Sequence, residues 1–274
     1  MTESLDLGKL QKSLANSRLR FQLRGYARVA STQDLALAAA DGGATEGLVI
    51  LADEQLAGRG RAGRSWHSPA GTALMFSLLL WPESALGDLS SLSLVAGLAL
   101  VEGLELAGGP AAQLKWPNDC LCGDRKLAGV LAESRSYADG RRALVLGLGC
   151  NVTWAGAEVP AELRRSATAC DLEGALVDRT RLAQAVLERL AKRYLQWSQG
   201  GFPAVRREWL GHAAWLGQEV IAEHPSGQVR GRAVGVSDLG ELLVETKDGL
   251  QAVASGDVAI AAPPQLRLAG VATE

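Results

Sequence analysis

The sequence predicts an α+β protein, with a larger unit of strands and helices followed by a small all-β unit. Two observations carry that expectation. Strand-length apolar runs and helical patterns follow one another without regular alternation over the first 214 residues, which favours α+β over a doubly wound parallel sheet. After Trp215, four or five short strands fall within fewer than 50 residues, separated by regular turns, as in a small antiparallel barrel. Composition permits a full core. The 274 residues are 47% hydrophobic and 21% charged, and a chain of this length corresponds to about two domains.

Each element has a local reason. Leu5, Leu7, Leu10 and Leu14 give a weak helical pattern in an N-terminal extension, residues 1–20, too short for a domain of its own. Residues 21–30 read as a strand. Ser31 then caps an alanine-rich helix that stops near Gly42-Gly43, and Asp34 three residues on makes a capping-box arrangement. Residues 48–52 and 72–81 are short apolar runs, read as buried strands on either side of a polar glycine-rich segment, 55–71. Residues 89–106 form a mostly apolar helix stopped by Gly108-Gly109. A strand over 113–116 enters Pro117. Two hairpins follow, with turns at Cys122-Gly123-Asp124 and Ala138-Asp139-Gly140 and strands over 126–133 and 143–150.

Thr180 is read as the cap of a long amphipathic helix with Leu182, Ala183, Val186, Leu187, Leu190, Tyr194 and Trp197 on its apolar face. The small unit has strands at 220–222, 229–236, 241–245 and 250–254. Its turns are Pro225-Ser226-Gly227, Asp238-Leu239-Gly240 and Lys247-Asp248-Gly249. The expected division is thus 1–20, 21–214 and 215–274.

Several function classes are disfavoured. No stretch reaches the roughly 18 apolar residues of a membrane helix, and no secretion signal is visible, so a cytoplasmic location is expected. The formal charge of −2 argues against a chain-wide nucleic-acid footprint. Cys120, Cys122, Cys150 and Cys170 contain no Cys-x-x-Cys pair and read as buried reduced thiols. Cys120 and Cys122 would share a face of a regular strand. His67, His212 and His224 are unclustered, so a metal site built on them is not expected, and the metal ligands are left open.

Two segments carry chemistry. Gly58-Arg59-Gly60-Arg61-Ala62-Gly63-Arg64 has the G-x-G-x-x-G spacing, but a dinucleotide fold needs a helix next, and Ser65-Trp66-His67-Ser68-Pro69 is not one. What remains is a glycine-rich loop with three permanent cations, mobile when empty and suited to fold over an anion. A solvated surface loop is the alternative. Lys115-Trp116-Pro117-Asn118-Asp119 ends a strand in a turn, and as a bare turn it needs no function. Lys126 heads the next strand. With six lysines against 22 arginines, it stands out as a compact charge suited to a single phosphoryl or carboxyl oxygen.

Taken together, residues 55–66, the Lys115–Asp119 turn, Lys126-Leu127-Ala128-Gly129 and Gly147-Leu148-Gly149-Cys150-Asn151 resemble the biotin protein ligases, in order and spacing, over about residues 21–260. The resemblance implies a central mixed sheet with flanking helices, similar to a Src-homology-2 and class II synthetase architecture, followed by a Src-homology-3-like barrel. It implies an ATP-dependent ligase that makes biotinyl-5′-AMP with Mg²⁺ and passes biotin to one lysine of a biotin carboxyl carrier domain. By matching positions, Ser31, Thr32 and Gln33 would hold the biotin rings with Gln55 beside them. Arg59 to Arg61 would close over ligand and phosphate, and Trp66 would border the adenine.

Lys126, Arg61 and Asp119 are the expected catalytic residues, with Asp119 binding metal, orienting Lys126 or merely forming the turn. Gly58, Gly60, Arg64, Asn118, Gly129 and Asn151 complete the expected binding set. Gln33 stands where the family usually has Asn, and Ala62 where a further Arg is frequent. The alternatives are a lipoate ligase, which does not usually combine the arginine loop with the barrel, and a biotin-dependent repressor. Only about twenty residues precede the first strand, so no DNA binding is expected. No membrane partner is expected either, and a homodimer stays open.

Overall fold

The structure, a computed structural model, describes residues 4–83, 89–224 and 227–260. Its centre is a seven-stranded mixed sheet in the order β1-β2-β3-β7-β6-β5-β4. The strands are β1 (Gln22–Val29), β2 (Leu48–Gln55), β3 (Ala73–Leu80), β4 (Gln113–Lys115), β5 (Asp119–Cys122), β6 (Arg125–Ser136) and β7 (Arg142–Asn151). β1 and β2 run parallel, and every other ladder of this sheet is antiparallel.

The faces of the sheet are unequal, and that inequality makes the site. On one face Leu74, Phe76, Leu78, Leu146 and Leu148 meet two helices, α3 (Leu92–Ala107) and α5 (Arg179–Gly200), in the main core. A helix this apolar all round must be buried, and Leu98, Ala99, Leu100 and Val101 of α3 are fully so. The other face is covered only in part, by α2 (Thr32–Asp41), whose Ala36, Leu37 and Ala40 pack on Leu48, Ile50, Leu79 and Val145. Beyond the first turn of α2 that face is open.

The caps differ in detail from the sequence reading. Ser31 caps α2, its Oγ accepting from the Asp34 amide at 3.4 Å. The reciprocal half of a capping box is not made, because the Asp34 carboxylate binds Arg59. The cap of α5 is Asp178, which accepts from the Arg181 amide at 2.7 Å, and not Thr180. The Thr180 hydroxyl is used elsewhere, accepting from the Asp6 amide at 3.1 Å. That bond helps seat α1 (Leu7–Ser13), whose Leu10 is fully buried in the main core. Two short helices, α4 (Ala161–Ser166) and α6 (Pro203–Gly211), were not expected, although Pro203 at the first position of α6 is a start signal.

After α6 the chain forms a five-stranded antiparallel sheet in the order β11-β10-β9-β8-β12. Its strands are β8 (Glu219–His224), β9 (Gly227–Val236), β10 (Leu242–Thr246), β11 (Gly249–Val253) and β12 (Asp257–Ile260). Pro225 and Ser226 of the expected first turn lie outside the described residues. Val220, Ala233, Leu242 and Val244 join the same core as the large sheet. Trp116 fastens the two sheets, its indole N–H donating to the Gly240 carbonyl at 3.0 Å.

Cys120, Cys150 and Cys170 are buried free thiols, as expected, and burial pushes the Cys120 thiol up. Cys122 is only half-buried. The register shift beside them puts its extra residue on β6 and not on β5, so Cys120 and Cys122 keep one face, and both pack on the main core.

Candidate functional site

The open face of the sheet is the floor of a concave pocket, the kind of place where small molecules bind. Its floor lacks side chains where a strand normally projects them. Gly147 and Gly149 are two apart on β7 and so share a face, and Gly129 on β6 is the cross-strand partner of Gly149. Groups from elsewhere fill the gaps. A Cβ at Gly147 would lie 2.5 Å from Gln33 Oε1, and one at Gly149 would lie 2.6 Å from Cε2 of the Trp66 ring. At Gly129 it would lie 3.1 Å from Lys126 Nζ.

One end of the pocket is neutral and polar. The first turn of α2 brings Thr32 and Gln33 over Ser77 of β3 and Gln55 of β2. The Thr32 amide donates to Gln55 Oε1 at 2.8 Å, and the Thr32 hydroxyl lies 3.0 Å from the same oxygen. Thr32 Oγ1 is also 2.9 Å from Ser77 Oγ, which is 3.0 Å from Gln33 Oε1. With the Thr32 amide serving Gln55 Oε1, the two hydroxyl hydrogens satisfy Ser77 Oγ and Gln33 Oε1, and the remaining lone pairs can accept from a ligand N–H.

The other end is cationic. Lys126 owes its direction to a β-bulge. Asp119 pairs with Gly129 and Cys120 with Ala128, but Leu121 pairs with Lys126, leaving Leu127 as an extra residue. In a regular ladder Leu127 would share the pocket face with Gly129, and Lys126 would point into the core. The bulge sends Leu127 and Ala128 into the core together and turns Lys126 to the pocket. There Nζ lies 2.6 Å from Asp119 Oδ1 and 5.9 Å from the centroid of Trp66. Asp119 Oδ1 is buried and has no other partner among the described residues.

The arginine loop closes the mouth as a short hairpin. Arg59 bridges Ser65, the Gly60 amide donates to the Arg64 carbonyl at 2.7 Å, and the Trp66 amide donates to the Gly58 carbonyl at 2.8 Å. Its tip is left-handed at Ala62 (φ 53°) and Gly63 (φ 73°). In this conformation the loop is held largely by carboxylates. Arg59 binds Asp34 of α2 and Glu133 of β6, and the Asp34 hydrogen bond raises its pKa. Arg61 donates to Asn118 Oδ1 at 3.1 Å and to the Gly256 carbonyl at 3.3 Å, and lies 3.7 Å from Asp257. Burial pushes the Arg61 guanidinium below its ordinary value, and Asp257 opposes that shift. Arg64 pairs with Asp257 at 3.2 Å.

Of the expected residues, Ser31, Thr32, Gln33, Gln55, Arg59, Gly60, Arg61, Arg64, Trp66, Asn118, Lys126 and Gly129 line this one pocket. Gly58 sits at the base of the hairpin, where a Cβ would meet the Trp66 carbonyl oxygen at 2.5 Å. Asp119 reaches the pocket through Lys126. Asn151 does not line it. Its amide donates to the Thr168 carbonyl at 2.9 Å, pinning a segment whose Thr168 amide in turn binds the Lys126 carbonyl. The pocket adds Ser65, Phe76, Ser77, Val130, Leu131, Gly147, Leu148 and Gly149. Of these Ser65, in the arginine segment, and the Gly147-Leu148-Gly149 run had a signal. Among the described residues no cluster of three His, Cys, Asp or Glu could hold a metal, and no helix is long and apolar enough to cross a membrane.

A neutral donor–acceptor end, a cationic end and a guanidinium flap define a site for condensing an acid with a phosphate-bearing partner. The chain matches the model of the biotin/lipoate A/B protein ligase family over residues 26–151 and that of the biotin protein ligase C-terminal domain over 215–260. It is 34% identical over 257 residues to the bifunctional ligase/repressor BirA of Bacillus subtilis, covering 92% of this chain and 79% of that protein. To the biotin–[acetyl-CoA-carboxylase] ligase of Mycobacterium tuberculosis it is 36% identical over 273 residues, covering 92% and 98%. The solved biotin protein ligase of Aquifex aeolicus in complex with biotin and ATP superposes with a TM-score of 0.76 at 31% identity, covering 88% of this chain and 98% of that one. The chain belongs to the biotin protein ligase family.

Proposed function

We propose that this chain condenses biotin with ATP to biotinyl-5′-AMP and then transfers biotin to one lysine of a biotin carboxyl carrier domain. The observation that carries the reading is the convergence of Lys126, the arginine hairpin and the Thr32–Ser77–Gln33–Gln55 cluster on one pocket. A carboxylate and a triphosphate repel each other, and fixed cations in a desolvated pocket offset that repulsion as charge develops.

In this reading the polar cluster holds the neutral ureido head of biotin, and the apolar floor at Phe76 and Leu131 takes its chain. The carboxylate end then meets Lys126. A carboxylate oxygen attacks the α-phosphorus of ATP. The new O–P bond forms as the bond to pyrophosphate breaks, and Lys126, Arg59 and Arg61 carry the growing negative charge. Trp66 borders the adenine, and Arg64, Asn118, Gly58 and Gly60 hold the hairpin that covers the nucleotide.

Holding both reactants in one orientation contributes as much as charge does, since effective molarities reach roughly 10⁵ M or more. The hairpin then shields the mixed anhydride from water. In the second half the neutral amine of the acceptor lysine attacks the acyl carbon, the bond to AMP breaks, and a proton leaves to solvent. No enzyme nucleophile is needed.

Mg²⁺ binds chiefly through substrate phosphates with one or two carboxylates. Asp119, whose Oδ1 has Lys126 as its one partner among the described residues, is the carboxylate that fits it. Its more direct role is to hold the Lys126 ammonium in place. The reading is of a cytoplasmic enzyme acting without DNA, and the formal charge of −2 favours the second part. A homodimer stays compatible with it.

The test is to incubate the chain with biotin, Mg-ATP and a carrier-domain fragment and to weigh the fragment. One added biotin on one lysine is expected. No addition, or stabilisation by lipoate alone in a parallel thermal shift, would sink the reading.

A further inference from the structure

The small C-terminal sheet reaches into the arginine hairpin through two consecutive residues. Gly256 has φ +144°, and a Cβ there would lie 2.0 Å from the Glu223 carbonyl oxygen, so this approach of β12 to β8 requires glycine. The Gly256 carbonyl accepts from Arg61 at 3.3 Å. Asp257 follows, with Arg64 at 3.2 Å and Arg61 at 3.7 Å. Across the ladder its partner is Glu223. Like charges directly opposite on an antiparallel pair are unfavourable, so the sheet itself gives no reason for an aspartate at this position. The two guanidinium groups do.

Arg61 and Arg64 lie on the loop that the proposed function assigns to phosphate, and a carboxylate and a phosphate oxygen compete for the same N–H fork. We propose that Asp257 is a positioning residue that competes with nucleotide phosphate for Arg61 and Arg64, coupling the C-terminal sheet to the closure of the arginine hairpin. The inference rests on the reading of the loop as a phosphate flap. In it, Asp257 keeps the flap aimed at the pocket and sets how much phosphate is needed to take it over. Asn118 holds Arg61 from the other side, at 3.1 Å, so Arg61 does not lose its aim when it leaves Asp257.

Two variants of the full chain, Asp257→Asn and Asp257→Glu, test it in two assays. Without nucleotide, trypsin cutting after Arg61 and Arg64, read by fragment mass, rises at least threefold in Asp257→Asn and stays near wild type in Asp257→Glu. Equal cutting in Asp257→Asn and wild type overturns the hold on the hairpin. In biotin-dependent pyrophosphate exchange, KM for ATP falls about threefold in Asp257→Asn, kcat stays within twofold, and Asp257→Glu restores the wild-type KM. A KM that is unchanged or raised, or a kcat that falls tenfold, overturns the competition and leaves a structural role. If wild type itself shows no biotin-dependent exchange, the proposed function fails, while the proteolysis still judges the hold on its own.

Discussion

Replacing Lys126 by Met separates what the ammonium does for the fold from what it does for the reaction. The fold term follows from the geometry. Asp119 Oδ1 lies 2.6 Å from Nζ and has no other partner among the described residues, so the substitution leaves a buried acceptor unmet. An unsatisfied buried group costs about 1–3 kcal/mol. With Lys126 34% exposed and Asp119 21%, solvent screening brings that to the low end, about 1 kcal/mol. In a chain of this size that lowers Tm by about 2–4 °C.

The catalytic term is larger. Losing one preorganised stabiliser of developing charge costs about 3–4 kcal/mol, or roughly 10²–10³ in kcat. The double variant Lys126→Met/Asp119→Asn divides the two, because the asparagine removes the stranded charge. It should recover most of the lost Tm and none of the lost pyrophosphate release. Turnover of Lys126→Met within about threefold of wild type, under ~1 kcal/mol of barrier, would refute the assigned role. Recovery of turnover in the double variant would show that Lys126 acts only by neutralising Asp119.

Arg61→Gly should form the adenylate and lose it to solvent faster, measured as free biotinyl-AMP in a filtration assay, because the hairpin loses its anchor on Asn118 and Gly256. Gly149→Ala puts a Cβ 2.6 Å from the Trp66 ring and must displace it. KM for ATP should rise about tenfold, about 1.4 kcal/mol, with Tm changed by only a few degrees. Arg179→Met leaves the partly exposed Asp53 carboxylate without its cation and should cost about 1–2 kcal/mol in urea unfolding, with pyrophosphate exchange retained. The hydrogen bond from the Thr168 hydroxyl, with Arg125 nearby, holds the Glu173 carboxyl below its ordinary value of 4.5. A depressed folded pKa gives stability that is full above about pH 4.5 and lost as pH falls through the folded value. Glu173→Gln should therefore flatten the acid limb of Tm against pH.

The sequence reveals structure where one local rule decides. Gly123 and Gly140 turn the two hairpins in the left-handed region, and Ser31 starts α2, because a turn or cap depends on a few neighbouring residues. It misleads where two residues satisfy the same rule. Asp178 and Thr180 are both good caps, and only the distant amide of Asp6 decides which hydroxyl is taken elsewhere. It is silent where the deciding partner is far away. Nothing within 190 residues of Arg64 marks Asp257 as its counter-ion. Lys126 is legible as an unusual cation, but not the extra residue, Leu127, that turns it to the pocket. A one-residue slip in pairing leaves no compositional trace, since leucine and alanine side by side look like an ordinary apolar run.

The glycines of the floor show why a motif can be visible while its meaning is not. In a strand, glycine is a weak strand former and tells the reader little more than that a bulge or close approach is near. Gly129, Gly147 and Gly149 become informative only through three contacts: with an ammonium three residues back on the same strand beside the bulge, an amide from the first turn of α2 and an indole from the loop. All three are ends of longer side chains and not backbone, so the floor is defined by groups that can be re-aimed when a ligand enters. An alanine at any of the three would put a fixed methyl where the protein keeps a movable polar or aromatic group. The consequences should differ by neighbour. Gln33 and Lys126 can yield by rotating flexible chains, whereas the indole must shift as a rigid plate. Substitution at Gly149 should therefore harm nucleotide binding more than substitution at Gly129 or Gly147 harms any single binding step.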